Sequence, residues 1–290
     1  MVLREILGRL GVRQWYDSRR AIPGVVRPRT ILMTGAAGRI ASQIRPLLAR
    51  AYPRVRLTDC QAITELAKNE EFQPADLTDR DSIERVVAGV EGIIHLGGIA
   101  GEAAFDQLLA VNVSGTINLF ESARRHGVSR IVFASTLHVL GFYDRTQIIS
   151  PDSAPRPDSR YAVSKLFGEN LGRLYADKYG MRVCCLRIGH AVATRAEAEP
   201  DIWIGPLDLV ALIRIGLEHP DLRFEVLHAV AQYTGSDIGQ DRARRIYGWV
   251  CREAGGDYGA AQSEVTRWFP GDAIARRVRG GVFASTDALR

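Results

Sequence analysis

Tyr161 and Lys165 stand one helical turn apart in the run Tyr161-Ala162-Val163-Ser164-Lys165. On a helix the phenol and the ammonium share a face. A free phenol titrates near pH ~10 and is a poor base at neutral pH. A neighbouring cation favours the phenolate, so the pair reads as a device for moving a proton. The spacing alone recurs by chance, and its weight comes from its setting. A Ser135-Thr136 pair closes a strand-like run before it, and a glycine-rich turn stands near the start of the chain.

That turn is Gly35-Ala36-Ala37-Gly38-Arg39-Ile40-Ala41, between an apolar run and a helical pattern. Gly35 and Gly38 permit the tight turn and let the backbone approach a pyrophosphate. The helix opening at Arg39 and Ile40 presents free N–H groups to the anion. Ala41 stands where a third glycine is commoner and is still small enough for helix–strand packing. Asp59 ends the second strand, where a carboxylate accepts both adenosine ribose hydroxyls and repels a 2′-phosphate. The expected cofactor is therefore NAD, favoured over NADP, with Arg39 and Arg56 close enough in sequence to soften the preference. Asp76 and Leu77 would flank the adenine. Leu96, Gly97 and Gly98 end the fourth strand and suit close passage over the cofactor. His95 beside them reads as a hydrogen-bonded structural histidine. Ala191 completes the expected cofactor contacts, with Asn112, Tyr161 and Lys165. Asn112 lies on the apolar stripe of its helix with Phe105, Leu109 and Thr116, where a buried amide needs partners.

The elements that must position these residues alternate from residue 30 to about 230. Strand-like runs are Thr30–Met33, Val55–Thr58, Gly92–Leu96, Arg130–Ala134, Arg182–Ile188 and Arg223–Leu227. Helical patterns are Ile40–Ala51, Ser82–Val90, one through Phe105, Leu109 and Ala123, the Tyr161 helix to about Lys178, and Leu207–Leu217. The fold class is α/β, a Rossmann-type doubly wound parallel sheet with a small C-terminal substrate lobe. Ligands in such sheets bind beyond the carboxyl ends of the strands, where each motif falls. The division reads as an N-terminal extension (1–29), an NAD-binding domain (30–230, with a pocket loop at 190–206) and a C-terminal lobe and tail (231–290). Leu3, Ile6, Leu7 and Leu10 give the extension helical spacing.

The net charge is +5, but the arginines are dispersed without a basic block, which argues against nucleic acid. No apolar run approaches the roughly 18 residues that span a bilayer, so no membrane role is expected. Cys60, Cys184, Cys185 and Cys251 match neither a zinc site nor a redox pair, and no metal is expected. Cys184 and Cys185 fall in a buried strand and face opposite ways. Such inert thiols fit a reducing cytoplasm.

With these residues in view, the chain resembles the extended short-chain dehydrogenases, the NAD-dependent epimerase/dehydratase family, and within it the uronate dehydrogenase group. The matching stretches are Thr34–Arg39, Gly92–Ile99, Ile131–Ser135, Pro157–Asn170, Leu186–Gly189, Tyr247–Trp249 and Gly280–Phe283. The resemblance implies a catalytic set of Thr136, Tyr161, Lys165 and Asn112. Thr136 would hydrogen-bond the reacting oxygen and Tyr161 would take the proton. Lys165 would bind the nicotinamide ribose and lower the tyrosine pKa, and Asn112 would hold a water linked to the lysine. In that group the hydride leaves the anomeric carbon of a cyclic hexuronic acid, giving a lactone and NADH. A homo-oligomer is implied through the Phe105–Arg125 and Tyr161–Lys178 segments.

The chain departs from the group in the substrate pocket. Ala100 and Leu137 replace a serine and an asparagine, and His190 replaces a serine, while His138 is kept. The arginine that clamps the uronate carboxylate, shortly before Trp203, is absent near Ala198. Arg195 is the nearest substitute, and His190 would carry only part of a charge near neutral pH. The expectation is a small-molecule substrate, a sugar, sugar acid or similar cyclic compound, with weak or no action on uronates. The alternatives are a nucleotide-sugar epimerase or dehydratase using bound NAD, and a non-catalytic NAD sensor. Retention of Thr136, Tyr161 and Lys165 argues against the sensor.

Overall fold

The computed structural model describes residues 27–231, 233–234, 238, 241–253 and 256–286. The helix expected around Leu3–Leu10 lies outside the described residues.

The chain opens with β1 (Thr30–Thr34), α1 (Arg39–Ala51), β2 (Arg54–Thr58), β3 (Glu70–Phe72), α2 (Arg80–Val87) and β4 (Gly92–His95). Next come α3 (Phe105–Leu108), a π-helical turn (Leu109–Ser114) and α4 (Gly115–Arg125). Then follow β5 (Arg130–Thr136), α5 (Arg160–Tyr179), β6 (Arg182–Ile188), β7 (His190–Ala191), β8 (Trp203–Ile204), α6 (Pro206–Glu218) and β9 (Phe224–Ala229). The last helices are α7 (Asp241–Tyr247), α8 (Tyr258–Trp268), α9 (Ala273–Arg277) and α10 (Val282–Ser285).

Seven strands pair in parallel in the order β3-β2-β1-β4-β5-β6-β9. A parallel sheet needs a cover on both faces, and the apolar runs supply two cores. Ile44, Leu47 and Leu48 of α1 and Leu212, Ile213 and Leu217 of α6 fill one face. Ile83 and Val86 of α2, Leu119 and Phe120 of α4 and Tyr175 of α5 fill the other. Cys184 belongs to the first core and Cys185 to the second, as strand alternation requires. Burial pushes both thiols up, so neither is a nucleophile at neutral pH. The strand order reverses between β1 and β4, where a crevice opens for a ligand.

The Phe105–Arg125 segment differs from the expected single helix. Leu109–Ser114 winds as a π-helix, and Asn112 sits within it. Phe105 and Leu109 are exposed, so the buried stripe is Leu108, Asn112, Thr116, Leu119, Phe120 and Ala123. The extra residue per turn shifts the face on which Asn112 and the residues after it lie. Among the described residues no helix is long and apolar enough to cross a membrane.

Candidate active site

The glycine turn meets the sheet edge-on. Gly35 has φ +67, and a Cβ there would stand 2.6 Å from the Gly97 nitrogen. A side chain would therefore push β1 and β4 apart where the crevice must open. The N-cap of α1 is Gly38, and its first turn holds no acidic residue, so its amide end offers positive potential to an anion. Asp59 is held at the end of β2: its Oδ2 accepts from the Ala37 amide at 3.0 Å and its Oδ1 from the Gln61 amide at 2.9 Å. Asp76 turns one oxygen to the Thr78 amide and hydroxyl, both at 2.8 Å.

A cavity of about 740 Å³ runs from this turn to the C-terminal tail. Gly35, Gly38, Arg39, Ile40, Asp59, Asp76, Leu77, Leu96, Gly97, Gly98 and Ala191 line it, as do Thr136, Tyr161 and Lys165. The turn, the strand-end carboxylate and the side chains of Thr136, Tyr161 and Lys165 thus share one cleft.

Ser159 caps α5 by accepting from the Ala162 amide at 3.1 Å, which fixes where Tyr161 begins the helix. The Thr136 side chain lies beside the Tyr161 phenol in the cavity. Burial pushes the phenol up to about 12; Thr136 opposes this and the Asp158 charge adds to it. The lowering expected from Lys165 is not what this structure shows. Desolvation of the phenol outweighs an ammonium that stands 5.9 Å from the ring centroid. Lys165 itself is buried, which pulls it down to about 8. Its Nζ lies 5.2 Å from the Phe133 ring centroid, and among the described residues it pairs with no carboxylate.

Asn112 finds the partners its burial demands. Its Oδ1 accepts from the Ile99 amide at 2.8 Å, and its Nδ2 donates to the Ile99 carbonyl at 3.0 Å and to Ser164 Oγ at 2.9 Å. It thereby ties the loop after β4 to α5 one residue before Lys165. His95 is structural, as expected. Thr116 donates to the Asn112 carbonyl, so His95 Nε2 donates to Thr116 at 3.2 Å and Nδ1 accepts from Thr34 at 2.7 Å. Burial pulls this histidine down to about 3, so it is neutral.

At the substrate end, Ala100, Leu137, His138 and His190 all line the cavity. His138 Nδ1 bonds Asp158 Oδ2 at 2.7 Å, and its ring stacks on Phe283 of the tail with centroids 4.2 Å apart. Asp158 is wedged against Gly141 and Gly280, where any Cβ would collide with its carboxylate. The role of Asp158 was not anticipated, although the residue lies inside the Pro157–Asn170 motif. Two expectations need correction. Arg195 is not among the residues lining the cavity; its guanidinium lies 3.9 Å from the Glu264 carboxylate. Burial, then Arg39 and His138, push His190 further from its charged form than expected. Its Nδ1 accepts from the Glu199 amide at 2.9 Å, which leaves the proton on Nε2. Sequence reasoning also missed Glu199, Trp268, Phe269 and Arg279, which line the same cavity. Irregular backbone, which has no period to read, brings Glu199, Phe269 and Arg279 there, and Trp268 stands at the end of α8.

The model of the NAD dependent epimerase/dehydratase family matches residues 31–203. The chain belongs to that family. Its cofactor is therefore NAD, and the cleft fits it: a glycine cradle at a helix N-terminus and a carboxylate at the end of β2. Relatives of this family member include uronate dehydrogenase of Agrobacterium fabrum, 36% identical over 271 residues, covering 90% of this chain and 99% of that protein. A mutant uronate dehydrogenase from Agrobacterium tumefaciens, solved in complex with NAD, superposes with a TM-score of 0.81 at 34% identity, over 89% of this chain and 98% of the other. L-arabinose 1-dehydrogenase (NAD(P)(+)) of Haloferax volcanii is 35% identical over 173 residues, 55% of this chain and 66% of that protein.

Proposed function

We propose that the protein is an NAD-dependent dehydrogenase that oxidises the anomeric CH–OH of a cyclic sugar or sugar acid to a lactone, releasing NADH and a proton. The observation that carries this reading is the convergence of Thr136, Tyr161 and Lys165 on one cavity with the glycine turn and Asp59. Uronate and arabinose dehydrogenases among the relatives support a sugar as the substrate.

Bound NAD supplies the hydride acceptor. The protein's own residues handle the proton. Thr136, which lines the cavity with Tyr161, orients the sugar hydroxyl toward the phenol. Tyr161 takes the hydroxyl proton as the C–H bond breaks. Lys165, one turn along α5 with its Nζ 5.9 Å from the Tyr161 ring centroid, would hold the nicotinamide ribose. Asn112 acts on Lys165 through Ser164, the residue before it on α5. Leu137, His138 and Phe283 exclude water from the sugar's face.

Three further parts of the reading are proposals. The tail from residue 231 acts as a substrate lobe over a cofactor domain of residues 30–230. The chain works in the cytoplasm, where its free thiols stay reduced. It assembles as a homo-oligomer.

The decisive experiment mixes the purified protein with NAD and a panel of aldoses and hexuronates and follows NADH. NADH is expected with at least one sugar, and Tyr161→Phe should lower kcat by about 10²–10⁴-fold while NADH binding persists. Full activity in Tyr161→Phe would remove the proposed proton transfer.

A further inference from the structure

The substrate end of the cavity carries a carboxyl group where a uronate would need a cation. Glu199 lines the wall. Its neighbour Ala198 is buried and packs instead into the cluster of Leu137, Val139 and Trp203. The 3-10 turn Arg195–Glu197 sets this register, turning Ala198 inward and leaving Glu199 to the cavity.

Arg145 and Arg279 are hydrogen-bonded to protein groups, and Arg39 lines the same cavity at its glycine-turn end. Arg145 donates through one terminal nitrogen to both oxygens of Asp201, at 2.7 and 2.6 Å, and through the other to Glu199 and to the Ala275 carbonyl. Arg279, buried in the cavity wall, donates to the carbonyls of Arg145 at 2.9 Å and Gln147 at 2.8 Å. His190 is pushed away from its charged form and spends Nδ1 on the Glu199 amide. Arg195 does not reach the cavity. Arg145 thus fixes the Glu199 carboxyl in place and has a second carboxylate, Asp201, to neutralise.

Resting on the sugar-dehydrogenase reading, we propose that Glu199 is the specificity-determining residue. It selects a neutral sugar that presents a hydroxyl to this wall and excludes the uronate that presents a carboxylate. A carboxylate on each side of a partly buried contact repels strongly, whereas a hydroxyl donates to Glu199 and is held. Burial, opposed by Arg145 and His138 and assisted by Asp201, raises Glu199 to about 7. Discrimination against uronates is therefore strongest well above pH 7, where Glu199 is ionised.

The test compares matched pairs that differ only in hydroxymethyl against carboxylate: glucose with glucuronate, and galactose with galacturonate. It is run with NAD well above pH 7. The expected kcat/KM favours the neutral member of at least one pair by at least about 100-fold. Glu199→Gln keeps the shape and removes the charge, and should shrink that preference by at least about tenfold. Wild-type protein that oxidises the uronates as well as the neutral sugars would overturn the assignment while leaving the dehydrogenase reading intact. So would a folded Glu199→Gln variant with an unchanged ratio. If that variant does not fold, the wild-type ratio decides alone. NADH from no sugar at all would overturn the dehydrogenase reading, and the assignment with it.

Discussion

Lys165 is held where a charge is expensive. Burial lowers it from 10.5 to about 8, so below pH 8 the folded protein without cofactor keeps an ammonium in an apolar setting. Between about 8 and 10.5 the unfolded chain binds more protons at this position than the folded one, so stability rises with pH across that window. Lys165→Met removes the penalty. At pH 7 the variant should be more stable than the wild type by up to about 3 kcal/mol in the absence of cofactor, and inactive. The difference should shrink toward pH 10, which thermal melts at the two pH values would read. A variant that melts below the wild type at pH 7 would show that Lys165 stabilises the fold. The chemistry at this scale was legible because Tyr161, Lys165, Thr136 and Asp59 belong to local motifs with fixed spacing. Glu199, Arg279 and the partner of His138 were not, because contacts across long sequence separations and irregular loops place them.

Helix α5 carries Tyr161 and Lys165, so its distance from β5 sets the height of both above the cavity. That distance is fixed at Gly168, where a Cβ would stand 2.2 Å from the Phe133 ring. Lys165 Nζ lies over the same ring, so one aromatic supports the ammonium and sets the helix height. Below them Glu169 accepts from both Arg187 Nε and a terminal Arg187 nitrogen at 2.9 Å, and from Ser135, binding α5 to β5 and β6. Gly168→Ala should destabilise the protein by about 1–3 kcal/mol and lower kcat by lifting α5. Phe133→Leu in the same chain should restore much of the stability. Denaturant unfolding and NADH formation on the single and double variants check this; additive losses would mean that the two positions do not meet. The alternation of elements was readable from period alone, since strands and helices bury different spacings. The π-helical turn at Asn112 was not, because a single inserted residue leaves the apolar stripe looking continuous.

Across the whole molecule, the sheet gives the cofactor cleft and tail residues Arg279, Gly280 and Phe283 line the other end of the same cavity. Asp158 joins them: it bonds His138 and packs against Gly141 from one side and Gly280 from the other. The outer face of α5 carries Val163, Phe167 and Leu174 on one stripe, with Leu174 51% exposed, and Phe105 and Leu109 are exposed nearby on the preceding helical segment. Exposed apolar residues on adjacent helices suit a second copy of the chain. Light scattering on the eluted protein should give a mass above one chain of 32.0 kDa, and Phe167→Glu should return it toward one chain. A monomeric wild type would end the oligomer proposal. The account as a whole rests on hydride loss from the anomeric carbon of a sugar bound between Thr136, Tyr161 and the nicotinamide. The most direct measurement uses an aldose substrate carrying deuterium at that carbon and reads the mass of the reduced cofactor. Reduced cofactor carrying deuterium is predicted; unlabelled NADH would contradict the account.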